Sequence, residues 1–285
     1  MFLFILLHTK DGKSKIGFFD TDFEESFRIL ILSDKLYTDL VVSGDQLFCL
    51  EKDSITLYKI IGQRSIRERS RSLSPIRRGT ERLLHPSVAA SMTPPYLSTV
   101  PLTKRVLNSD SNIKLLFHSC IKLQEEHQWI TVSDKNVVVA GGDGVKNKSI
   151  AKIHIVSDEE YTIANIGMEK AYNKLFSATD ELCCQINREK RIITSVVTSN
   201  GTYYLLLSMG EYFLIYLDEE ACKCSELEGK IISISNSENH LIAFIKTERG
   251  FCISRANEIQ GLISKTLHDY ELNISDHELI TIRNI

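Results

Sequence analysis

The sequence predicts an all-β chain built as a β-propeller of about five to six blades, closed or incomplete. Short apolar runs recur between turn clusters, all five prolines fall between Pro75 and Pro101, and one pair of segments repeats at a period of roughly 38 to 39 residues. Proline removes a ladder donor and is excluded from central strands, so its confinement marks an insert and leaves the remainder to sheet. The expected organisation is a first propeller portion over residues 1–62, a disordered Arg/Ser/Pro-rich insert over 63–110, and the remaining blades over 111–285.

The opening "MFLFILLHTK" has no basic leader and its apolar run stops at Leu7, so it reads as a strand and not as a signal peptide. "DGKS" (Asp11–Ser14) then turns the chain into "KIGFFD". Asp39–Ile60 holds three β-rich runs separated by "SGDQ" and "EKDS", a meander. The pattern returns in "WITVSDKNVVVAGGDG" with "SIAKIHIV", in "KLFSATDELCCQI" with "RIITSVVTS", in "YYLLLSMGEYFLIYLD", in "KIISISNSENHLIAFIK" with "GFCIS", and in "YELNISDHELITIRNI". That makes about 18 to 22 strands, with helical periodicity confined to "EKAYNK" and "NEIQGLISKTL". Four-stranded meanders whose edges are protected by radial closure suit this count, and a pair of β-sandwiches is the structural alternative.

A hydrophobic fraction of 43% with 25% charged residues is that of an ordinary globular chain, and a net charge of −3 gives no global attraction to nucleic acid or anionic lipid. No apolar run approaches the roughly 18 residues needed to span a bilayer. The expectation is a cytoplasmic or nuclear protein that is neither secreted nor membrane-bound. Seven cysteines, Cys49, Cys120, Cys183, Cys184, Cys222, Cys224 and Cys252, contain no C-x-x-C pair and read as reduced core thiols. The eight histidines show no metal-ligand spacing, so no metal and no cofactor is expected.

Aligning "RIITSVVTSNGTYYLLLSMGEYFLIY" with "KIISISNSENHLIAFIKTERGFCIS" sets Ile192 against Ile231. The second of these segments, extended to "SENHLIAFIKTERGFCISRANEIQGL", resembles a repeat unit of the RCC1 family at His240, Ala243, Gly250, Asn257, Gly261 and Leu262. The preceding unit keeps Gly201 and Gly210, whereas Ser254 and Arg255 stand where the family has a Trp-Gly pair. The resemblance covers about 75 residues, and a WD40-like origin is almost as close. It implies a propeller that binds partners such as small GTPases or chromatin. Guanine-nucleotide exchange is an alternative for which no loop motif is present, and fold does not transmit function.

"NVVVAGGDGVKNKS" resembles the G-G-D-G phosphate turn of lipid and NAD kinases, which makes Gly141, Gly142, Asp143 and Gly144 a weak phosphate-binding alternative. Val145 replaces the usual Thr and a strand-like run follows in place of a helix, so a hairpin turn between blade strands is the preferred reading. There is no G-x-S-x-G, no H-E-x-x-H and no Walker pattern, and an enzyme is not expected.

The insert carries the strongest local charge. Arg64, Arg67, Arg69, Arg71, Arg77, Arg78 and Arg82 stand against Glu68 and Glu81, a local +5. Such a segment buries too little apolar area to offset its ordering entropy. Ser70, Ser72 and Ser74 each follow an Arg by three residues, Ser74-Pro75-Ile76-Arg77 fits proline-directed kinases, and Thr93-Pro94 is a weaker candidate. Phosphorylation adds roughly −1.5 to −2 per site, so a few events would cancel the loop's charge. The expected function is a non-catalytic scaffold or protein-interaction module with a phosphorylatable basic loop. Its expected partners are proteins, such as a small GTPase or a multi-subunit complex, and the kinases that modify the loop. Nucleic acid is the alternative ligand of the basic segment, although no aromatic residue interleaves it before Pro95.

Overall fold

In the computed structural model, residues 2–20, 27–62, 113–134, 136–157, 160–183, 190–198, 201–218, 222–227, 229–237, 240–248, 250–256, 263–271 and 277–284 are described. Among these residues twenty strands form five antiparallel sheets of four. Blade 2 contains β4 (Asp39–Ser43), β5 (Gln46–Leu50), β6 (Ser54–Ile61) and β7 (Lys114–Lys122), paired in that order. Blade 3 contains β8 (Trp129–Asp134), β9 (Val137–Gly141), β10 (Ser149–Ile155) and β11 (Tyr161–Gly167). Blade 4 contains β12 (Lys190–Val197), β13 (Thr202–Ser208), β14 (Glu211–Leu217) and β15 (Cys222–Leu227). Blade 5 contains β16 (Ile231–Ser237), β17 (His240–Lys246), β18 (Gly250–Ala256) and β19 (Ile263–Glu271).

Blade 1 is assembled from both halves of the sequence. β1 (Phe2–Thr9), β2 (Ser14–Asp20) and β3 (Arg28–Ser33) are joined by β20 (His277–Asn284), which pairs antiparallel with β1 from Leu3–Asn284 to Thr9–His277. The innermost strands β20, β4, β8, β12 and β16 contact one another in a closed circuit. The chain is thus a closed five-bladed β-propeller, the lower of the two expected blade counts and a complete ring.

Local chemistry accounts for the hairpins. β13 and β14 are joined by the two residues Met209 and Gly210, at φ 50° and 91°, the combination of a type I′ turn whose twist matches that of the flanking strands. The period read from Ile192 and Ile231 reappears as a shared defect. β12 bulges between Ile192 and Thr194, and β16 bulges at the equivalent place between Ile231 and Ser233. β20 repeats it, skipping Ile280 between Leu279 and Thr281. In each case two apolar residues precede a buried hydroxyl residue.

The core is divided into wedges between neighbouring blades. Phe48, Leu57, Ile130 and Ile153 pack between blades 2 and 3, and Leu205, Leu214, Ile234 and Leu241 between blades 4 and 5. Phe19, Phe244, Phe251 and Tyr270 fill the wedge between blades 5 and 1, with Phe251 stacked on Tyr270 at 5.3 Å. The wedge between blades 3 and 4 also holds an α-helix, α1 (Glu169–Cys183), whose Tyr172 and Leu175 join Trp129, Ile192, Phe213 and Ile215.

Two expected elements are corrected. "KLFSATDELCCQI" is not a strand, because residues up to Cys183 continue the helix begun in "EKAYNK". Tyr172, Leu175, Phe176 and Thr179 follow the 3.6-residue period, and Phe176 is the only one of the four not fully buried. "NEIQGLISKTL" is not a helix over its described part, since Ile263–Glu271 pairs with β18 as a strand.

Candidate functional site

One side chain links the inner strands of the ring. Arg283, on β20, donates from Nε to Leu40 O at 3.0 Å and from Nη2 to both Asp39 carboxylate oxygens at 2.8 and 3.1 Å. It also donates to Ile234 O, to Thr194 Oγ1 and to Ile130 O. Its partners therefore lie on β4, β8, β12 and β16, so all four other inner strands are tied to β20 by one guanidinium. Asp39 accepts in addition from the Leu40 and Ile130 amides at 2.8 and 3.0 Å. Both charges are almost fully buried, and every acceptor direction of the pair is occupied. Ser233 adds a two-way bond to the Ile282 backbone, accepting at 3.1 Å and donating at 2.8 Å.

The G-G-D-G segment is a hairpin connection from β9 to β10. Asp143 Oδ1 accepts the amides of Val145, Lys146 and Asn147 at 2.9, 2.8 and 3.3 Å. Gly142 N and Gly144 N donate to Ser149 O and Asn147 O. The amides that would cradle a phosphate are thereby turned onto the loop itself. The glycines are explained by space. A Cβ on Gly141 would lie 2.0 Å from an indole carbon of Trp129, and one on Gly142 would lie 2.1 Å from Asn147 O. The Trp129 Nε1–H donates to Gly142 O at 2.8 Å, fixing the turn over the wedge of blades 3 and 4.

Beside this turn, a cleft of about 730 Å³ is lined by Lys52, His127, Asp143, Lys146, Lys148 and Ser149, among others. His127 is 3% exposed, and its Nδ1–H donates to Glu125 O at 2.7 Å. Burial holds its pKa below the ordinary imidazole value. Asn147 braces the cleft floor by donating to Glu126 O and accepting from Ser149 N.

A different surface lies at the rim. β7 is the outermost strand of blade 2, and Leu116 and Phe117 on it are 53% and 65% exposed. β3 of blade 1 touches β7 and presents Ile29 and Leu32 at 53% and 57% exposure. The bulge in β7 falls at His118; beyond it Leu116 and Phe117 stand opposite Lys59 and Tyr58 in regular register, so they face opposite sides of the sheet, and the Phe117 ring meets that of Tyr58 edge-on at 6.3 Å. None of Ile29, Leu32, Leu116 and Phe117 is distinguishable in the sequence from a buried strand residue.

The predicted phosphorylation and basic positions, Ser70, Ser72, Ser74, Thr93, Arg64, Arg67, Arg69, Arg71, Arg77, Arg78 and Arg82, lie outside the described residues, as do Asn257 and Gly261. The flanks of that segment are described. Ile61 pairs with Lys114, so the segment is joined to the third and fourth strands of blade 2. Gly201 and Gly210 lie at hairpin ends, Gly250 opens β18, and His240 opens β17. Cys49 and Cys252 are core thiols as expected, whereas Cys120 is exposed on β7. Among the described residues no cluster of three or more His, Cys, Asp or Glu is placed to hold a metal, and no helix is long and apolar enough to cross a membrane.

No protein-family model and no curated protein matches the sequence. Solved structures are similar at the level of strand arrangement. A protein from Lactobacillus plantarum aligns at a TM-score of 0.43 and 8% identity, over 96% of this chain and 69% of that one. The dihydro-heme d1 dehydrogenase NirN aligns at 0.34 and 12%, over 89% of this chain and 41% of NirN. A chain of the S. cerevisiae complex of dbp5 with nup159, gle1, IP6 and ADP aligns at 0.36 and 7%, over 94% of this chain and 64% of that one. At these scores the similarities carry no argument about chemistry. The strand pairing itself establishes the class: this chain is a closed five-bladed β-propeller.

Proposed function

We propose that the chain is a non-catalytic protein-interaction module that engages its partner through the rim of blades 1 and 2. The observation that carries this reading is the exposure of four large apolar residues, Ile29, Leu32, Leu116 and Phe117, on two touching outer strands. Contiguous exposed apolar surface on outermost strands marks interaction sites, because unpaired strand edges are otherwise covered or charged. A propeller is suited to this role, since its rigid ring holds the edge in place while the loops are free to vary.

The arginine-rich segment enters as the regulator. Ser70, Ser72 and Ser74 follow Arg67, Arg69 and Arg71, and phosphate on them would cancel the local charge of +5. Its attachment at Ile61 and Lys114 places its flanks beside Leu116 and Phe117 in the sequence. Exchange activity on a small GTPase and a G-G-D-G kinase are not favoured by any specific observation, and the second is opposed by the occupied amides of Gly142 and of residues 144–147.

The test is affinity purification from cells of the natural source with wild-type chain, a Phe117→Asp variant and a triple Ser70→Ala, Ser72→Ala, Ser74→Ala variant, read by mass spectrometry. The expected outcome is a partner set retained by wild type, lost with Phe117→Asp and altered in the serine variant, with phosphate found on the wild-type serines. Recovery of no specific partner by wild type would remove the interaction reading. An unmodified segment with an unchanged partner set would remove the regulatory part alone.

A further inference from the structure

The interaction reading becomes more specific when the chemistry of β7 is considered on its own, and this step rests on that reading. We infer that β7 is a docking edge for an extended segment of a partner protein, acidic at both ends and apolar between, which adds as a fifth strand to blade 2.

β7 pairs through one edge with β6, from Ser54–Lys122 to Ile61–Lys114, and among the described residues no strand pairs with its other edge. An added strand would satisfy the outward backbone groups and place alternate side chains over the surface of the sheet. The side chains it would meet are Leu116 and Phe117, with Ile29 and Leu32 of β3 alongside.

Charge selects the occupant. Lys114 and Lys122 stand at the two ends of β7, about 27 Å apart along a nine-residue strand, and the strand contains no acidic residue. Lys114 is exposed, and Lys122 has only a loose contact of 4.0 Å with Asp53, both side chains being well exposed. Two further acids are paired with other lysines, Glu51 with Lys35 at 2.6 Å and Asp34 with Lys13 at 3.0 Å. An acid at each end of the incoming segment would complement the two lysines, and apolar residues between them would cover Leu116 and Phe117. Opposite charges at such rim positions fix register and partner choice more than they add affinity.

Lysines beside exposed apolar side chains also suit an anionic membrane surface. The sheet edge decides between the two. A strand provides partners for a row of backbone N–H and C=O groups, whereas pressing an open edge into lipid leaves them unsatisfied.

Blade 4 provides the internal comparison. Its outermost strand, β15, lies against α1, and Cys222 and Cys224 on it pack in the same cluster as the helix. The outermost strand of a blade can thus be covered on its face by an element outside the sheet.

The experiment is selection of a random-peptide phage library on the purified full chain, followed by fluorescence anisotropy with the synthetic consensus peptide. The expected result is enrichment of sequences with apolar residues at the centre, directed to both faces, and Asp or Glu at both ends. Binding should weaken about tenfold or more in Phe117→Asp. Reversing both charges, Lys114→Glu with Lys122→Glu, should move the selected peptides from acidic to basic ends. All these positions are exposed, so circular dichroism and thermal unfolding should show the variants folded as wild type. Selected peptides without acidic ends would overturn the inference, as would binding unaffected by both variants. So would sedimentation of wild type with phosphatidylserine vesicles in the absence of peptide binding. If the affinity purification still yields partners that neither variant disturbs, the rim assignment fails while the interaction reading stands.

Discussion

The axis and the rim of this ring treat polar and apolar groups in opposite ways. At the axis a guanidinium and a carboxylate are buried together, and the four other inner strands each contribute an acceptor to Arg283. At the rim of blades 1 and 2 leucine, isoleucine and phenylalanine face solvent beside a strand edge that no described strand pairs with. The contrast shows where the chain places its stability and where it has surface to offer. Arg283 ties the inner strands together, whereas the exposed side chains of β3 and β7 take no part in that network, although Ile121 of β7 belongs to the core.

The largest expected effect breaks the axis. Arg283→Met strands the Asp39 carboxylate in a dry interior and should lower the unfolding free energy by about 3–5 kcal/mol, measured by urea denaturation. Adding Asp39→Leu should recover most of that loss, because the penalty lies in the uncompensated charge and not in the missing bonds. A double variant as unstable as the single one would show that the guanidinium's backbone contacts dominate.

Next in size is the covered rim. Leu175→Ala opens a void beneath α1 and should cost about 2–5 kcal/mol, with faster hydrogen exchange over β15 than over β7. A smaller effect belongs to the cleft. His127 has its pKa held down by burial in the folded chain, while the unfolded chain takes up the proton near an ordinary value of about 6.5. Its contribution is therefore complete above that value and is lost as pH falls through the depressed folded pKa. A His127→Gln variant should show a shallower loss of stability on the acid side, followed by denaturation midpoints across pH. The smallest effect belongs to the bare rim. Phe117→Ser should change stability by no more than about 0.5 kcal/mol, while a loss of several kcal/mol would mean that the side chain is structural.

The parts legible in the sequence were those encoded locally. Turn clusters such as "DGKS" and "SGDQ" delimited strands correctly, and the offset between Ile192 and Ile231 matches two bulges that coincide in the structure. The helix was seen only as "EKAYNK" because "KLFSATDELCC" mixes β-formers with a 3.6-residue pattern that becomes decisive once Trp129 and Ile192 supply the opposing surface. Arg283 was not singled out. Its closest carboxylate is 244 positions away in the sequence, and a lone arginine near Ile282 has no local signature. The same limit applies at the rim, where "KLLFHSCIK" reads like any core strand until the sheet order shows that it lies outermost. The G-G-D-G turn illustrates the converse, since a motif with an obvious chemical reading is accounted for by an indole and an aspartate that closes its own loop.

The antiparallel pairing of Leu3 with Asn284 also determines how the ring would respond to force. Tension applied through these two positions pulls perpendicular to the strands, so the hydrogen bonds between β1 and β20 are loaded one after another, as in a zipper, and not all together in shear. Arg283 sits at the first tooth. Such a ring would be mechanically weak at its seam however stable it is chemically, and the force needed to start the tear would be set by the withdrawal of a single guanidinium from the axis.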